Sequence, residues 1–405
     1  MKKIKMIVFG YGQRGRTYAS YAKAHPDQYE VVAIVENNPR VFGWAQRDFS
    51  CPIYTDYKQM LADKLQADIV FVATQDKDHA EHAEACMKAG YDLLLEKPIA
   101  STEEDCRRIH KTAKEYGRKV FVAHVLRYTP FYRQIKQIVA AGELGEIVSI
   151  HASENVGYAH QSHSYVRGPW RNSKTSSPMI LAKCCHDLDI FRWLMDKPCQ
   201  SVCSFGSLRH FRKEFKPEGA AAYCSDCPLT DCVYKAQRHY ENNPVGAGYF
   251  SAAKKKEEIM KDLEKSQYDR CVYQSDNDVV DHQVSILQFE DGATVCHTMT
   301  AFSQTTYRDI KIYGTKAELV GVMEENFIEV RPFGAEKRKI TWENGFTVGG
   351  HSGGDEGIMY EIYLELNGQP TYGITHLDVS VESHYIAFAV ENSRVSGGAV
   401  QKIEN

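Results

Sequence analysis

Short apolar runs alternate with stretches of helical spacing along the first third of the chain. The runs are rich in β-branched residues and lie at 4–9, 31–35, 69–73, 93–95 and 120–123. Short runs of this kind are typical of buried strands, and helices between them are typical of crossover connections. The pattern predicts an α/β domain with a parallel sheet, of the Rossmann dinucleotide-binding kind, over residues 1–123.

The pattern changes from about residue 124, where a helix closed by Gly142 leads into a strand. Later strands are predicted without regular helices between them, at 201–207, 283–289, 294–301, 309–313 and 327–330. Turn signals such as Asp291-Gly292 join neighbouring strands as hairpins. We therefore predict a second, α+β domain over 124–405 with a mostly antiparallel open sheet and a cysteine-containing insertion at about 216–275.

A glycine-rich loop, Gly10-Tyr11-Gly12-Gln13-Arg14-Gly15, joins the first predicted strand to the first helix. This is the strand–turn–helix context that the GxGxxG dinucleotide-binding pattern requires. Gly10 permits the tight turn, Gly12 lets the backbone approach a pyrophosphate, and Gly15 allows close packing of helix on strand. The six residues of the loop are predicted to bind the cofactor.

Glu36 ends the second apolar run, 21 residues after Gly15. A carboxylate at this place accepts hydrogen bonds from the ribose hydroxyls and repels a 2′-phosphate, so NAD is favoured over NADP. Arg40 leaves a phosphate-binding alternative open.

The composition narrows the function classes. Of the 405 residues, 43% are hydrophobic and 25% are charged, as in an ordinary two-domain enzyme. The net charge of −4 is spread without blocks apart from a short run at 254–258, which disfavours nucleic acid and membrane partners. The apolar start is too short for a signal peptide, and no stretch approaches the roughly 20 apolar residues of a membrane helix. We expect a cytoplasmic protein with twelve reduced cysteines.

Glu96-Lys97-Pro98 follows the apolar run at 93–95, which places Lys97 where open α/β sheets bind ligands. With the glycine loop and the preceding "ADIVFVATQDKDHAEHAEACMKAGYDLLL", this motif resembles the Gfo/Idh/MocA family of oxidoreductases, and the resemblance covers essentially the whole chain. It implies a nicotinamide cofactor and a histidine at the position of His79. We predict further cofactor contacts at Thr74, His79, Glu96 and Lys97.

The segment "AKCCHDLDIFRWLM" from residue 182 has helical spacing, with Lys183, His186 and Ile190 on one face. Adjacent cysteines on a helix point roughly 100° apart, so Cys184 and Cys185 cannot both reach one ion together with His186. We predict that both cysteines are packing residues and that the segment binds no metal.

The resemblance implies that His186 is the family's catalytic histidine, close to Lys97 and to the reacting hydroxyl. Imidazole titrates near neutral pH and suits a base that takes the hydroxyl proton. Most family members have an aspartate one turn earlier, where this chain has Ala182. Lys183 or Asp189 is a candidate replacement, and Lys183 joins Lys97 and His186 in the predicted catalytic set.

The segment 157–178 is rich in His, Tyr, Arg and Trp, which suits a polyhydroxylated ligand because rings stack on sugars and Arg and His bind hydroxyls. Together with Lys97 and His186, the predicted substrate-binding residues are Arg127, Tyr128, His163, Tyr165, Trp170 and Arg171.

A second cysteine cluster lies in the polar insertion, at Cys224, Cys227, Cys232 and Cys271. Four thiolates can complete a tetrahedral metal site. A structural Zn²⁺ bound there would stabilise an insertion that has little apolar content. An iron–sulfur cluster, a disulfide and free thiols stay open as alternatives, and His239 is an alternative fourth ligand.

These observations favour an NAD-dependent oxidoreductase acting on a secondary alcohol of a sugar, sugar derivative or cyclitol, the substrate class being implied by the resemblance. One alternative is NAD-assisted glycoside cleavage through a transient keto-sugar. Another is a sensor without catalytic activity that keeps the dinucleotide fold. We expect a small-molecule carbohydrate as substrate and a homo-oligomer, dimer or tetramer, formed through the sheet of the second domain.

Overall fold

The first part of the chain forms a six-stranded parallel sheet. The computed structural model describes residues 1–241, 243–251, 253–342 and 350–403. The strands are β1 (Ile4–Phe9), β2 (Tyr29–Val35), β3 (Ile53–Tyr54), β4 (Ile69–Val72), β5 (Asp92–Leu95) and β6 (Val120–Val122). The helices between them are α1 (Gln13–Ala24), α2 (Pro39–Asp48), α3 (Tyr57–Ala62), α4 (His79–Lys88) and α5 (Glu103–Tyr116). The strand order is β3-β2-β1-β4-β5-β6, which is the parallel sheet that the apolar runs predict.

The second part forms a nine-stranded sheet. Its strands are β7 (Ile147–Asn155), β8 (Cys199–Ser207), β9 (His282–Phe289), β10 (Thr294–Thr300), β11 (Tyr307–Gly314), β12 (Ala317–Val322), β13 (Phe327–Pro332), β14 (Arg338–Thr341) and β15 (Gln401–Lys402). Their order is β14-β13-β12-β11-β7-β10-β9-β8-β15, and all neighbours are antiparallel except β7 and β10. The predicted fold class is confirmed.

Nine α-helices are described in the second part of the chain. They are α6 (Pro130–Ala140), α7 (Tyr158–His160), α8 (Met179–Ala182), α9 (Cys185–Met195), α10 (Ala236–Tyr240), α11 (Pro244–Ala247), α12 (Lys256–Leu263), α13 (Gly354–Leu366) and α14 (Leu377–Val395). The short helices α10 to α12 lie between β8 and β9, in the insertion. No helix in the described part of the chain is long and apolar enough to span a lipid bilayer.

The nine-stranded sheet buries one face and leaves the other accessible. Along β9, Leu287 and Phe289 are buried while Val284 and Ile286 are exposed. The buried face packs against α6, α8, α9 and part of α14 in the largest hydrophobic cluster. This alternation is the mark of a half-buried sheet.

The C-terminal helices return to the first sheet. On one face, Ile358, Met359 and Ile362 of α13 join the cluster that contains Ile4 and Val8. On the other face, Leu377 and Val381 of α14 pack with residues of β4, β5 and α5. The two sheets are thus tied together by the end of the chain as well as by the turn after β6.

The predicted continuous helix through Lys183 and His186 is wrong. The structure ends α8 at Ala182, gives Lys183 (φ −114°, ψ −53°) and Cys184 (φ −88°, ψ 1°) distorted backbones, and begins α9 at Cys185. The segment contains no glycine or proline that would signal a break. The reason is a tertiary contact at Ala182, described below.

Candidate active site

Of the three glycines of the loop, only Gly12 has open space where a Cβ would lie. Gly10 has φ +92°, and a Cβ there would meet the Ala73 oxygen at 2.6 Å. A Cβ at Gly15 would lie 1.8 Å from the Gly10 oxygen, whereas one at Gly12 would meet nothing within 4 Å. The loop therefore packs tightly at its ends and is open at Gly12, at the N-terminus of α1, which is the form of a pyrophosphate cradle.

Glu36 is held beside this loop by backbone donors. Its carboxylate accepts hydrogen bonds from the backbone N–H of Tyr11 (2.8 Å) and of Asn38 (2.8 Å). The Tyr11 side chain is buried and donates to Asp48 at 3.1 Å, so only the backbone of Tyr11 borders the cradle. The side chain of Arg40 lies outside the described part of the structure.

Arg14 and Glu96, both predicted to bind cofactor, instead pair with each other. Arg14 Nε lies 2.6 Å from Glu96, and the same guanidinium contacts Asp355 of α13 at 2.7 Å. Tyr18 also donates to Glu96. Burial raises the pKa of Glu96, but the Arg14 charge and the Tyr18 bond outweigh it, and the net pKa is lowered. These side chains form an ion network that docks α13 on the loop.

Thr74 and His79 brace the turn that carries Lys97. His79 is buried and donates from Nδ1 to the Pro98 carbonyl at 2.7 Å, while its Nε2 lies 3.3 Å from the Thr74 carbonyl. The Thr74 hydroxyl contacts His82 at 3.0 Å. In this structure the two predicted cofactor residues hold the turns after β4 and β5 together.

Lys97 reaches from this turn to the broken helix. Its Nζ donates to the carbonyl oxygen of Ala182 at 3.0 Å. Ala182 is the last residue of α8, so a helix-terminal carbonyl receives an ammonium donor. Ala182 therefore contributes its backbone oxygen at this position, and the break brings Lys97 next to the start of α9.

His186 lies in the first turn of α9 and is buried. Neither of its ring nitrogens has a hydrogen-bond partner among the described residues. Its ring centroid lies 5.8 Å from that of His124 and 6.1 Å from that of His351. Burial, and then the charge of Lys97 and the two neighbouring histidines, hold the pKa of His186 well below its usual value. The lowered pKa favours the neutral imidazole, and its ring nitrogens have no partner among the described residues.

Lys183 points into a buried ion network. Its Nζ lies 3.4 Å from Glu154, which is fully buried and also paired with Arg308. Arg308 bridges onward to Asp187 at 2.9 Å. Glu154 therefore orients Lys183, which directly follows the residue that Lys97 contacts.

Two predicted substrate ligands, Arg127 and Tyr128, are bonded to other side chains of the protein. Arg127 is buried and forms a bidentate pair with Asp189 (2.6 Å for each bond), so neither is available to a substrate or to His186. Tyr128 is also buried and bonds to Thr375 at 2.9 Å. Their assignment as substrate ligands rested on position in the chain alone, and the structure does not support it.

Within the predicted substrate segment, residues Gln161–Arg167 form a π-helix. This part of the segment packs against the insertion. His163 bonds to the Tyr240 hydroxyl at 2.7 Å, and Arg171 pairs with Asp276 at 2.8 Å. Tyr165 is buried next to Trp170, with ring centroids 6.3 Å apart. Of the four predicted side chains, His163 and Arg171 are therefore used to hold the insertion.

Three histidines near the site, His124, His160 and His351, were not predicted from the sequence. Burial, followed by the charges of Lys183, His163 and Lys97, keeps the pKa of His160 well below its usual value. His351, at the start of α13, lies 3.1 Å from Asp355 and faces His186. The glycine-rich segment 349–357 was the available signal for His351, because such segments let backbone approach a site closely.

The four cysteines of the insertion line one cavity together with Arg167. The Arg167 guanidinium is 1% exposed and contacts the Cys224 sulfur at 3.5 Å. Its other partners are the carbonyls of Tyr234 and Arg270, and its Nη1 has no partner among the described residues. His239 packs instead against His163 and Tyr240. All four cysteines are free thiols, not disulfides.

The insertion also reaches the glycine loop. The hydroxyl of Tyr249 donates to the side chain of Gln13. The Tyr249 ring packs against His163 at 4.9 Å, so one side chain connects the loop, the π-helix and the insertion. Gln13 is thereby fixed at the edge of the cradle.

Two family models match the chain in order. The first, an oxidoreductase family with an NAD-binding Rossmann fold, matches residues 4–124, and the second, the GFO/IDH/MocA C-terminal domain, matches residues 132–320. The chain belongs to the Gfo/Idh/MocA family. It is accordingly an NAD-binding oxidoreductase, and the resemblance noted from the Glu-Lys-Pro motif is confirmed.

Individual relatives cover different parts of this Gfo/Idh/MocA chain. YteT of Bacillus subtilis (strain 168) is 22% identical over 392 residues, 89% of either protein. Inositol 2-dehydrogenase 2 of Saccharopolyspora erythraea is 34% identical over 137 residues, 33% of this chain and 37% of that enzyme. A levoglucosan dehydrogenase solved with NADH and levoglucosan shares the fold, with a TM-score of 0.75 and 17% identity over the whole of both chains.

The ion network around Arg14 gives a stability prediction. Replacing Asp355 by Ala removes one partner of a buried arginine and should lower the free energy of unfolding by about 3 kcal/mol. Replacing the neighbouring exposed Glu356 by Ala should change it by less than about 0.5 kcal/mol. Urea unfolding of the two variants compares them directly. Equal midpoints would show that the network does not dock α13.

Proposed function

We propose that this protein transfers hydride between NAD and a secondary alcohol of a sugar, sugar derivative or cyclitol. The observation that carries the proposal is the placement of Lys97 beside the break that starts the His186 helix, at the carboxyl edge of an NAD-binding sheet. The substrate class draws on relatives named as acting on inositol and levoglucosan. The substrate class is thus extended from these relatives to this chain.

The residues present fit the dinucleotide. Gly12 offers open backbone for the pyrophosphate, and Glu36 presents a fixed carboxylate for the ribose hydroxyls. When bound, the nicotinamide supplies the hydride acceptor or donor. Two backbone donors orient Glu36, and its negative charge repels the 2′-phosphate of NADP.

His186 is proposed to take the proton from the reacting hydroxyl. Its ring is neutral, buried and unpartnered among the described residues, so an incoming hydroxyl is a hydrogen-bond partner that the fold leaves room for. Lys97, anchored on Ala182, donates to the same oxygen and stabilises negative charge that develops there. Lys183, held by Glu154, orients a neighbouring hydroxyl. Trp170 and Tyr165 provide an aromatic wall for the ring of the substrate.

A substrate screen tests the reaction. Sugars, cyclitols and glycosides are incubated with the protein and NAD while NADH absorbance is followed. Formation of NADH with one of them supports the proposal. Release of an aglycone from a glycoside without added NAD and without net NADH would instead support glycoside cleavage through a keto-sugar.

The exposed face of the nine-stranded sheet is proposed as the contact between copies of this chain. Phe205 and Val284 are cross-strand neighbours, and both are exposed, as is Ile286 on the same face. Adjacent exposed apolar side chains of this kind mark association surfaces. A second copy would bury them.

The cavity of the insertion is proposed to hold a structural Zn²⁺. A buried arginine needs a counter-charge, and no carboxylate pairs with Arg167 in the described part of the chain. Zinc bound by four thiolates carries two net negative charges and would supply it. The ligands would be Cys224, Cys227, Cys232 and Cys271, with no part in hydride transfer.

Replacing His186 or Lys97 by Ala should lower turnover by about 10²–10⁴-fold, the usual span for a positioned acid or base. Affinity for NAD should change little in the His186 variant, because the phosphate cradle and Glu36 are unaltered. The matched control is Cys185→Ala, which alters a buried neighbour and should mainly lower stability, by roughly 1–3 kcal/mol. An inactive but folded Cys185 variant beside an active His186 variant would refute the assignment.

NAD should bind more tightly than NADP. Titrating both cofactors by fluorescence gives the two dissociation constants, and Glu36→Gln should narrow their ratio because it removes the charge that repels the 2′-phosphate. Tighter binding of NADP to the unaltered protein would contradict the role given to Glu36.

Elemental analysis of protein purified without added metal tests the zinc site. Cys224→Ser should lose about one zinc per chain relative to Cys51→Ser, which alters a free cysteine of the first sheet domain. Finding iron in place of zinc, or equal metal content in the two variants, would show that the insertion holds no zinc.

A further inference from the structure

A second group of metal-ligand types lies under the active-site helix. One ligand atom each from Cys184, Asp187 and His297 lies within 4.8 Å of the other two. Among the residues that the structure describes, no other three histidines, cysteines or carboxylates meet this closely. The sulfurs of the insertion are spaced more widely around their cavity.

The three residues come together from different elements. Cys184 lies in the break between α8 and α9, Asp187 lies in the first turn of α9, and His297 projects from β10 on the buried face of the sheet. No metal was predicted here because two adjacent cysteines and His186 cannot share a helix face. His297 comes from a distant strand, and spacing along the chain does not reveal such a ligand.

The group is both buried and incompletely satisfied. Cys184, Asp187 and His297 are 0%, 4% and 1% exposed. Asp187 Oδ2 and His297 Nε2 have no hydrogen-bond partner among the described residues. A buried polar atom without a partner costs roughly 1–3 kcal/mol, so two such atoms on residues of one close group favour a common partner. A cation between them supplies it.

The surrounding charges accept a cation. Arg308 pairs with Asp187 Oδ1 at 2.9 Å, which leaves Oδ2 available to bind an ion. Carboxylates that bind metals are commonly held by such a second partner. Arg308 and Lys183 are balanced by Glu154 and Asp187. A divalent ion bound with a cysteine thiolate therefore adds only one net positive charge to a neutral network.

We propose that Cys184, Asp187 and His297 bind a divalent transition-metal ion of the zinc class. Sulfur, imidazole nitrogen and carboxylate oxygen are the donors that zinc prefers, and their convergence from three directions suits a tetrahedral site. On binding, the S–H bond of Cys184 breaks, a sulfur–metal bond forms, and the proton leaves to water without any change of oxidation state. The ion would pin the break that precedes His186 to β10, whether or not the proposed substrate is correct.

Cobalt substitution tests this site in the full-length chain. The background variant is Cys224→Ser with Cys227→Ser, which removes two ligands of the insertion. After loading with Co²⁺ and dialysis, the background protein should hold about one cobalt per chain and show a thiolate-to-cobalt charge-transfer band. Adding Cys184→Ser should abolish the band because it removes the thiolate, and adding either Cys184→Ser or His297→Asn should weaken cobalt binding by about tenfold or more.

Cys185→Ser in the same background is the matched control, because Cys185 is equally buried and one residue away. It should keep the band, and circular dichroism checks that each variant is folded. Three results would overturn the proposal: no cobalt retained by the folded background protein, a band that survives in the Cys184 variant, or a His297 variant that binds cobalt as tightly as the background protein. If one of these variants fails to fold, the other variant and the background protein still test whether the site binds cobalt.

Discussion

The hydrogen bond from Lys97 to the carbonyl oxygen of Ala182 joins the two halves of the candidate site. On one side, Lys97 belongs to the turn after β5, which His79 braces through Pro98. On the other side, Ala182 ends α8, and the break that follows starts α9 with His186 in its first turn. Because a helix-terminal carbonyl needs a donor, the bond stabilises the break as well as the lysine. The position of Lys97 relative to His186 depends on this hydrogen bond.

Much of the fold could be predicted because its signals are local. The run at 4–9, the glycines at positions 10, 12 and 15, and Glu36 each stand in the context that a dinucleotide fold requires, and the structure places them accordingly. The alternation along β9 likewise gave a strand with one buried face. Such features depend on neighbours in the chain, which the sequence displays directly.

The features that could not be predicted depend on tertiary partners. The break at Lys183 has no glycine or proline to announce it. Arg127 follows a strand end, as ligand-binding residues often do, but pairs with a carboxylate on another helix. Arg14 sits in the cofactor motif yet turns toward Asp355, more than three hundred residues later in the chain. Spacing along the chain carries no information about such partners.

A double-mutant cycle tests most directly whether Lys97 and His186 form one site. On the substrate identified by the screen, kcat/KM is measured for Lys97→Ala, His186→Ala and the double variant. If both act on the same hydroxyl, the double variant should be no slower than the slower single variant by more than a few fold, as in catalytic groups that work as a unit. Losses that multiply, to about the product of the two single effects, would contradict the account.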